Sequence, residues 1–172
     1  MKKMLRHVTG RGGFTMLEII SALVIIAIIA AVAVSRTSSI SQSKLRADAE
    51  TLKVHLRYAQ LRALNSTERI WGIDFSSGSY RLFYSIESDA AANVHYVAFP
   101  GGDGSTVTLQ NTTMTFDDVD LSFDTWGKPY QNLRANFDAS PIPQAADRTI
   151  SLADTSGNTQ TISIIKNTGY VR

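Results

Sequence analysis

The apolar positions of this chain fall into three successive regimes. Over residues 14–34 nearly every position is apolar: Glu18 is the only charge, and Thr15 and Ser21 are the only other polar groups. At 1.5 Å per residue such a run makes a helix about 30 Å long, which matches a hydrocarbon core. Within lipid a backbone must satisfy its own hydrogen bonds, so 14–34 is expected to be a transmembrane helix. Beyond it the apolar residues narrow to a stripe. Leu45, Ala49, Leu52, Leu56, Ala59 and Ala63 recur at three- and four-residue steps, with Arg46, Asp48, Glu50, Lys53, Arg57 and Arg62 between them. That spacing predicts an amphipathic helix over 35–65, ended by Asn65-Ser66, whose stripe packs on a sheet rather than on a membrane. Unbroken from Phe14, the helix would be about 78 Å long. No proline precedes Pro100, so no kink is expected near Ser35, and Ser38, Ser39 and Ser41 offer only a softer patch.

From Ile70 onward the period becomes two. Residues 70–75 and 80–86 flank Ser76-Ser77-Gly78-Ser79 and read as a hairpin with a glycine turn. Further strands are expected at 94–99, 106–109, 119–123, 133–138, 150–153 and 159–165, the last two joined through Asp154-Thr155-Ser156-Gly157-Asn158. Segments 87–93, 100–105 and 139–147 read as loops, and no internal repeat is visible. The expected fold class is α+β: one long N-terminal helix, its first half transmembrane, followed by an antiparallel β-sheet head over 66–172.

Length and composition leave room for one domain plus the N-terminal segment: 172 residues, 44% hydrophobic and 19% charged, the balance of a folded chain. The absence of cysteine excludes disulfide staples, thiolate metal sites and a cysteine nucleophile. A sequence pI near 9.0 suggests a basic protein, yet Lys2, Lys3, Arg6 and Arg11 supply four of the 17 basic charges. Without the first 13 residues, 13 basic residues face 15 acidic ones, a formal charge of −2. The basic balance belongs to the leader, and the remainder has no basic face that would suit nucleic acid as a partner.

A carboxylate inside an apolar span is costly, about 2.5–3.5 kcal/mol at the bilayer centre and less near an end. Three readings of the segment compete. It is a plain signal anchor, or a secretory signal cut at Ala31-Val32-Ala33, or a short basic leader cut immediately before the span. An ordinary signal core of about 7–15 residues has no carboxylate, which opposes the second. Lys and Arg tie on the two sides of the span, with Lys2, Lys3, Arg6 and Arg11 before it and Arg36, Lys44, Arg46 and Lys53 after. The more compact leader cluster favours a cytoplasmic N-terminus.

The hexapeptide Gly13-Phe14-Thr15-Met16-Leu17-Glu18, followed by Ile19-Ile20, resembles the class III signal of type IV pilins and type II secretion pseudopilins. The resemblance implies a leader over 1–13, removed by prepilin peptidase between Gly13 and Phe14, and N-methylation of Phe14. It also implies an assembly role for Glu18. The residue types suit that chemistry. A glycine enters a narrow protease site without a side-chain clash. A carboxylate about 4 Å from a neighbour's N-terminal amine gains roughly 4 kcal/mol at an effective dielectric near 20, before desolvation. A carboxylate without a partner, snorkelling to the interface, is the plainer alternative for Glu18.

In the head, Leu56-Arg57-Tyr58-Ala59 to Ala63-Leu64-Asn65, Phe123-Asp124-Thr125-Trp126-Gly127-Lys128-Pro129, and Ile162-Ser163-Ile164 to Thr168-Gly169-Tyr170-Val171 are similar in order to the GspH/FimT group of minor pseudopilins and minor pilins. The plain reading of Gly127 and Gly169 is that they are turn glycines. Asp117, Asp118 and Asp120 cluster, although acidic loops are more often solvated than metal-loaded, and no metal site is expected. The three histidines, His7, His55 and His95, have no nucleophile–base arrangement around them, and no phosphate-loop, dinucleotide or H-E-x-x-H motif occurs. Trp71, Tyr80, Phe83, Tyr84, Trp126 and Tyr130 are read as core in preference to a ligand groove. No enzyme and no cofactor are expected.

The resemblance implies a minor pseudopilin of a type II secretion system, or else a minor type IV pilin acting in pilus assembly, adhesion or DNA uptake. Its partners would be other pilin or pseudopilin subunits, prepilin peptidase, the inner-membrane assembly platform and, before assembly, membrane lipid. The expected location is the cell inner membrane, single-pass with a periplasmic head, and then the filament. A membrane-anchored β head that binds carbohydrate, DNA or secreted substrate is the competing class.

Overall fold

The computed structural model describes residues 13–86, 94–110, 112–116, 120–131 and 145–172, at 33–39 and 131 by the backbone alone. The chain divides into two units, 1–39 and 40–172. Helix α1 (Met16–Leu64) contributes to both.

Of the first unit, the described part is almost entirely α1. Its large apolar side chains are exposed: Leu23, Ile26 and Ile29 are 61–63% exposed, and Ile19 and Ile20 more than half exposed. Among the described residues no helix is long and apolar enough to cross a membrane. The leader, apart from Gly13, lies outside the described residues.

In the second unit the predicted stripe is the buried stripe. Leu45, Leu52, Leu56, Ala59 and Ala63 are fully buried and Ala49 nearly so, whereas Arg46, Glu50, Arg57 and Arg62 are exposed. The helix ends one residue before the expected Asn65. Asn65 turns back on it, donating its N–H (3.2 Å) and its Nδ2 (2.8 Å) to Leu61 O, and so satisfies a carbonyl that the helix leaves open.

Nine strands follow: β1 (Arg69–Ser76), β2 (Ser79–Ile86), β3 (His95–Val97), β4 (Thr106–Thr108), β5 (Thr112–Phe116), β6 (Asp120–Phe123), β7 (Pro129–Gln131), β8 (Arg148–Asp154) and β9 (Thr159–Ile164). All pairings are antiparallel. The larger sheet has the order β3-β2-β1-β6-β7, with β4 also on β2, and the smaller has the order β5-β8-β9. Both predicted hairpins are present, closing at Ser76↔Ser79 and Ala153↔Thr159. The expected strand at 133–138 and the loop at 87–93 lie outside the described residues.

Two strands were not expected. In β5 the inward positions are Thr112 and Met114, and a buried threonine hides the alternation. Thr112 is admitted because its Oγ1 donates to Asp48 Oδ2 on the helix at 2.8 Å. β7 has three residues and opens on Pro129, which lacks an N–H; it sits at the sheet edge, where proline is tolerated.

Trp71, Ile73 and Phe75 of β1, with Tyr80 and Leu82 of β2 and Leu121 and Phe123 of β6, join the helical stripe in one core. Met114, Ile150, Leu152, Ile162 and Ile164 of the smaller sheet complete it. On the opposite face of β1, a Cβ on Gly72 would stand 2.5 Å from Leu121 O and 2.7 Å from the Phe83 ring. Only glycine leaves room there for the Phe83 ring and the Leu121 carbonyl. Nearby, Asp74 Oδ2 accepts from Arg81 (2.7 Å) and from Tyr96 Oη (2.8 Å).

Candidate functional site

Two places concentrate the residues singled out in the sequence. The first is the start of α1. Thr15 caps it: Glu18 N donates to Thr15 O at 3.1 Å and to Thr15 Oγ1 at 3.3 Å, and Ile19 N donates to Thr15 O at 3.3 Å. Thr15-Met16-Leu17-Glu18 thus has the spacing of a capping box, with Glu18 in the first turn where a negative charge suits the helix dipole. The sequence held this signal in its Thr-x-x-Glu spacing. Ser21 Oγ donates to Leu17 O at 2.8 Å, so the other polar side chain of the apolar run is satisfied within the helix. Glu18 is not: among the described residues its carboxylate has no ion-pair or hydrogen-bond partner. Gly13 has no atom within 4 Å of where a Cβ would stand, and Phe14 is 81% exposed. Both residues are exposed, and among the described residues nothing requires glycine at 13.

The second place is where the three motif segments of the head converge. Gln60, on α1, donates from Nε2 to Gly127 O (2.9 Å) and to Thr168 O (2.8 Å). Arg57, one turn earlier, donates to Val171 O at 2.9 Å. Gly127 (φ 75) and Gly169 (φ 65) are in the left-handed region, as turn glycines should be. They are also points of close approach. A Cβ on Gly169 would overlap Gly127 O and come within 2.6 Å of Gln60 Nε2; one on Gly127 would meet Gln60 Nε2 and Leu64 at 3.2 Å. Asp124 holds the β6–β7 turn, its Oδ1 accepting from Trp126 N (2.9 Å) and Lys128 N (2.8 Å). Gln60 was not singled out from sequence, because its partners are far along the chain. The knot joins the helix, one sheet turn and the C-terminal segment, and carries no group placed for chemistry.

The remaining candidates sort by burial. Trp71, Tyr80 and Phe83 are core, as expected, and Tyr84 and Tyr130 are half-buried; Trp126 is not core but 82% exposed on the Asp124 turn. Asp117 and Asp118 lie outside the described residues. Asp120 is not a solvated loop residue: it lies buried in β6, opposite Asp74 in β1. No group of three or more potential metal ligands occurs among the described residues. His55 stacks on Phe99 (centroids 3.8 Å apart), and its Nδ1 is hydrogen-bonded to Tyr80 Oη at 2.8 Å. Burial pushes its imidazole below the ordinary histidine pKa. Burial, with the Asp48 carboxylate nearby, raises the Tyr80 phenol. That pair is an internal wedge between helix and sheet, and no nucleophile adjoins it.

No protein-family model and no curated protein matches the chain. Among solved structures, the chain is similar to the minor pseudopilin EpsH from the type 2 secretion system of Vibrio cholerae. The TM-score is 0.53 at 11% identity, over 75% of this chain and 94% of that one. Crystal structures of the type IV minor pilin FimU of Pseudomonas aeruginosa align with a TM-score of 0.47 at 15% and 16% identity. They span 74% and 76% of this chain and 90% and 88% of theirs. The likeness to EpsH establishes the fold: a pilin-like α+β arrangement, with a long helix packed on antiparallel sheets.

Proposed function

We propose that this chain is a minor pseudopilin of a type II secretion system. It is made with a cytoplasmic leader and held in the inner membrane by residues 14–34, with its head in the periplasm. A prepilin peptidase cuts between Gly13 and Phe14 and methylates the new amine. The subunit then leaves lipid for the core of a periplasmic filament. What supports this reading most is Glu18, the single charge of the apolar segment 14–34 and without a partner among the described residues, on a chain whose second unit packs a helix on antiparallel sheets as a pseudopilin does.

The apolar helix has two solvents in its life, bilayer and filament interior. Glu18 prefers the second, where it meets the N-terminal amine of a neighbouring subunit. An approach of about 4 Å gains roughly 4 kcal/mol before desolvation. The partners are other pilin-like subunits, the peptidase and the assembly platform. The role in this reading is structural, that of a filament subunit, in keeping with the pilin-like fold.

The test is Glu18→Ala in the native host. The variant should be processed and membrane-held but absent from cross-linked filament species; normal incorporation would remove the pairing role. Deletion of the gene should impair secretion of a folded periplasmic cargo. Intact secretion with lost pili would instead assign the subunit to a type IV pilus.

A further inference from the structure

Where α1 hands over to β1, three rings line up across three strands. Trp71 of β1 lies 5.2 Å from Tyr84 of β2, and Tyr84 stacks on His95 of β3 at 4.9 Å. Two arginines lie over this row. Arg62 Cζ, from the last turn of α1, is 4.4 Å from the Trp71 ring, and Arg69 Cζ, from the first residue of β1, is 4.7 Å from Tyr84. A third arginine, Arg81, lies over Tyr96 at 3.8 Å, but its guanidinium is already held by Asp74 at 2.7 Å. Arg62 and Arg69 differ: among the described residues neither guanidinium has a carboxylate or carbonyl partner. Stacking uses a guanidinium's face and leaves its N–H edge free.

Both arginines border a shallow recess of ≈ 200 Å³ lined by Arg62, Asn65, Ser66, Arg69 and Trp71. The turn that forms it is held in shape, since Ser66 Oγ accepts from Arg69 N at 3.1 Å and Asn65 Nδ2 donates to Leu61 O at 2.8 Å. The Ser66 hydroxyl proton stays available. The C-terminus of α1 opposes a bound anion with about half a negative charge. Two full guanidinium charges outweigh it, and Asn65 and Ser66 already occupy the Leu61 and Ala63 carbonyls.

The geometry points to an oxyanion-binding site, in which the free edges of Arg62 and Arg69 and the Ser66 hydroxyl grip one carboxylate or phosphate group. The rings fix the two forks before the ligand arrives, so little side-chain entropy is lost on binding. The ring faces are covered by the arginines, so the site takes an oxyanion rather than a stacked base.

The test is an NMR titration of the detergent-solubilised full chain, following the Nε–Hε resonances of Arg62 and Arg69. Inorganic phosphate and glutarate are added separately, at ionic strength matched with chloride. The expected result is a saturable shift of both arginines with at least one anion, absent in Arg62→Gln/Arg69→Gln. Response to phosphate alone, or to glutarate alone, identifies the source of the oxyanion. Arg62→Lys, which keeps the charge but not the fork, should bind about tenfold more weakly. Shifts no larger than those from chloride, shifts that persist in the double variant, or equal affinity in Arg62→Lys would overturn the site. A denaturation midpoint unchanged from wild type shows that each variant is folded, since both side chains are solvent-exposed.

Discussion

Replacing Gly169 by alanine puts a methyl group into the one point where helix, sheet turn and C-terminal segment meet. Two separable costs follow. Gly169 has φ 65, a left-handed conformation that costs an L-residue about 1–2 kcal/mol. The new Cβ would also overlap Gly127 O, stand 2.6 Å from Gln60 Nε2 and crowd the Phe123 ring at 3.1 Å. Something must then shift, and the hydrogen bonds from Gln60 to Gly127 O and Thr168 O are the contacts at risk, worth roughly 0.5–1.5 kcal/mol each. The sum is about 2–5 kcal/mol. Gly157→Ala isolates the first cost, because Gly157 has φ 83 but nothing within 4 Å of its Cβ position. It should lose only about 1–2 kcal/mol. Gly78→Ala, with no positive φ and open space, should be close to neutral. Urea denaturation of the detergent-solubilised chain, followed by tryptophan fluorescence, measures all three. If Gly169→Ala and Gly157→Ala destabilise equally, the close approach contributes nothing and the knot is not a structural joint.

Leu52→Ala empties a fully buried position of the helical stripe and should cost about 2–5 kcal/mol, whereas Leu61→Ala, 55% exposed, should change the denaturation midpoint little. His55 is held neutral by burial, its folded pKa below the ordinary 6.5. Its contribution is therefore complete above about pH 6.5 and is lost as pH falls from there towards the folded value. Between pH 7 and 5 the wild type should lose stability more steeply than His55→Gln; equal slopes would contradict the burial argument. Asp154 has its carboxyl pKa lowered, first by the Asn158 side chain and also by Ser41 and the Ser156 and Asn158 N–H groups. Removing the side-chain donor with Asn158→Ala should raise that pKa, read by carboxyl NMR titration, and an unmoved titration would refute the assignment.

How much of this was legible in the sequence depended on range. The stripe from Leu45 to Ala63 obeys helical spacing and is buried residue for residue. The hairpins of β1–β2 and β8–β9 carry their turns within a few residues and were equally plain. β5 was hidden because its inward Thr112 is polar and acceptable only through Asp48, 64 residues away. β7 was hidden by its brevity and by Pro129. Gly127 and Gly169 read correctly as turn glycines, but their close approach depends on Gln60, 67 and 108 residues distant from its two acceptors. Trp126 was misread as core because an aromatic in a β region is usually buried, and nothing local marks a turn held by Asp124. At the helix start the candidate residues are sequence neighbours, so the motif was visible, and the structure adds the Thr15 cap.

On the proposed function, the chain is cut and modified at its glycine–phenylalanine junction before it joins a filament. Mass spectrometry of the protein isolated from its native membrane tests this most directly. The expected result is a mature N-terminus at Phe14 bearing an N-methyl group; an intact leader, or a start at Val34, would contradict the proposed function.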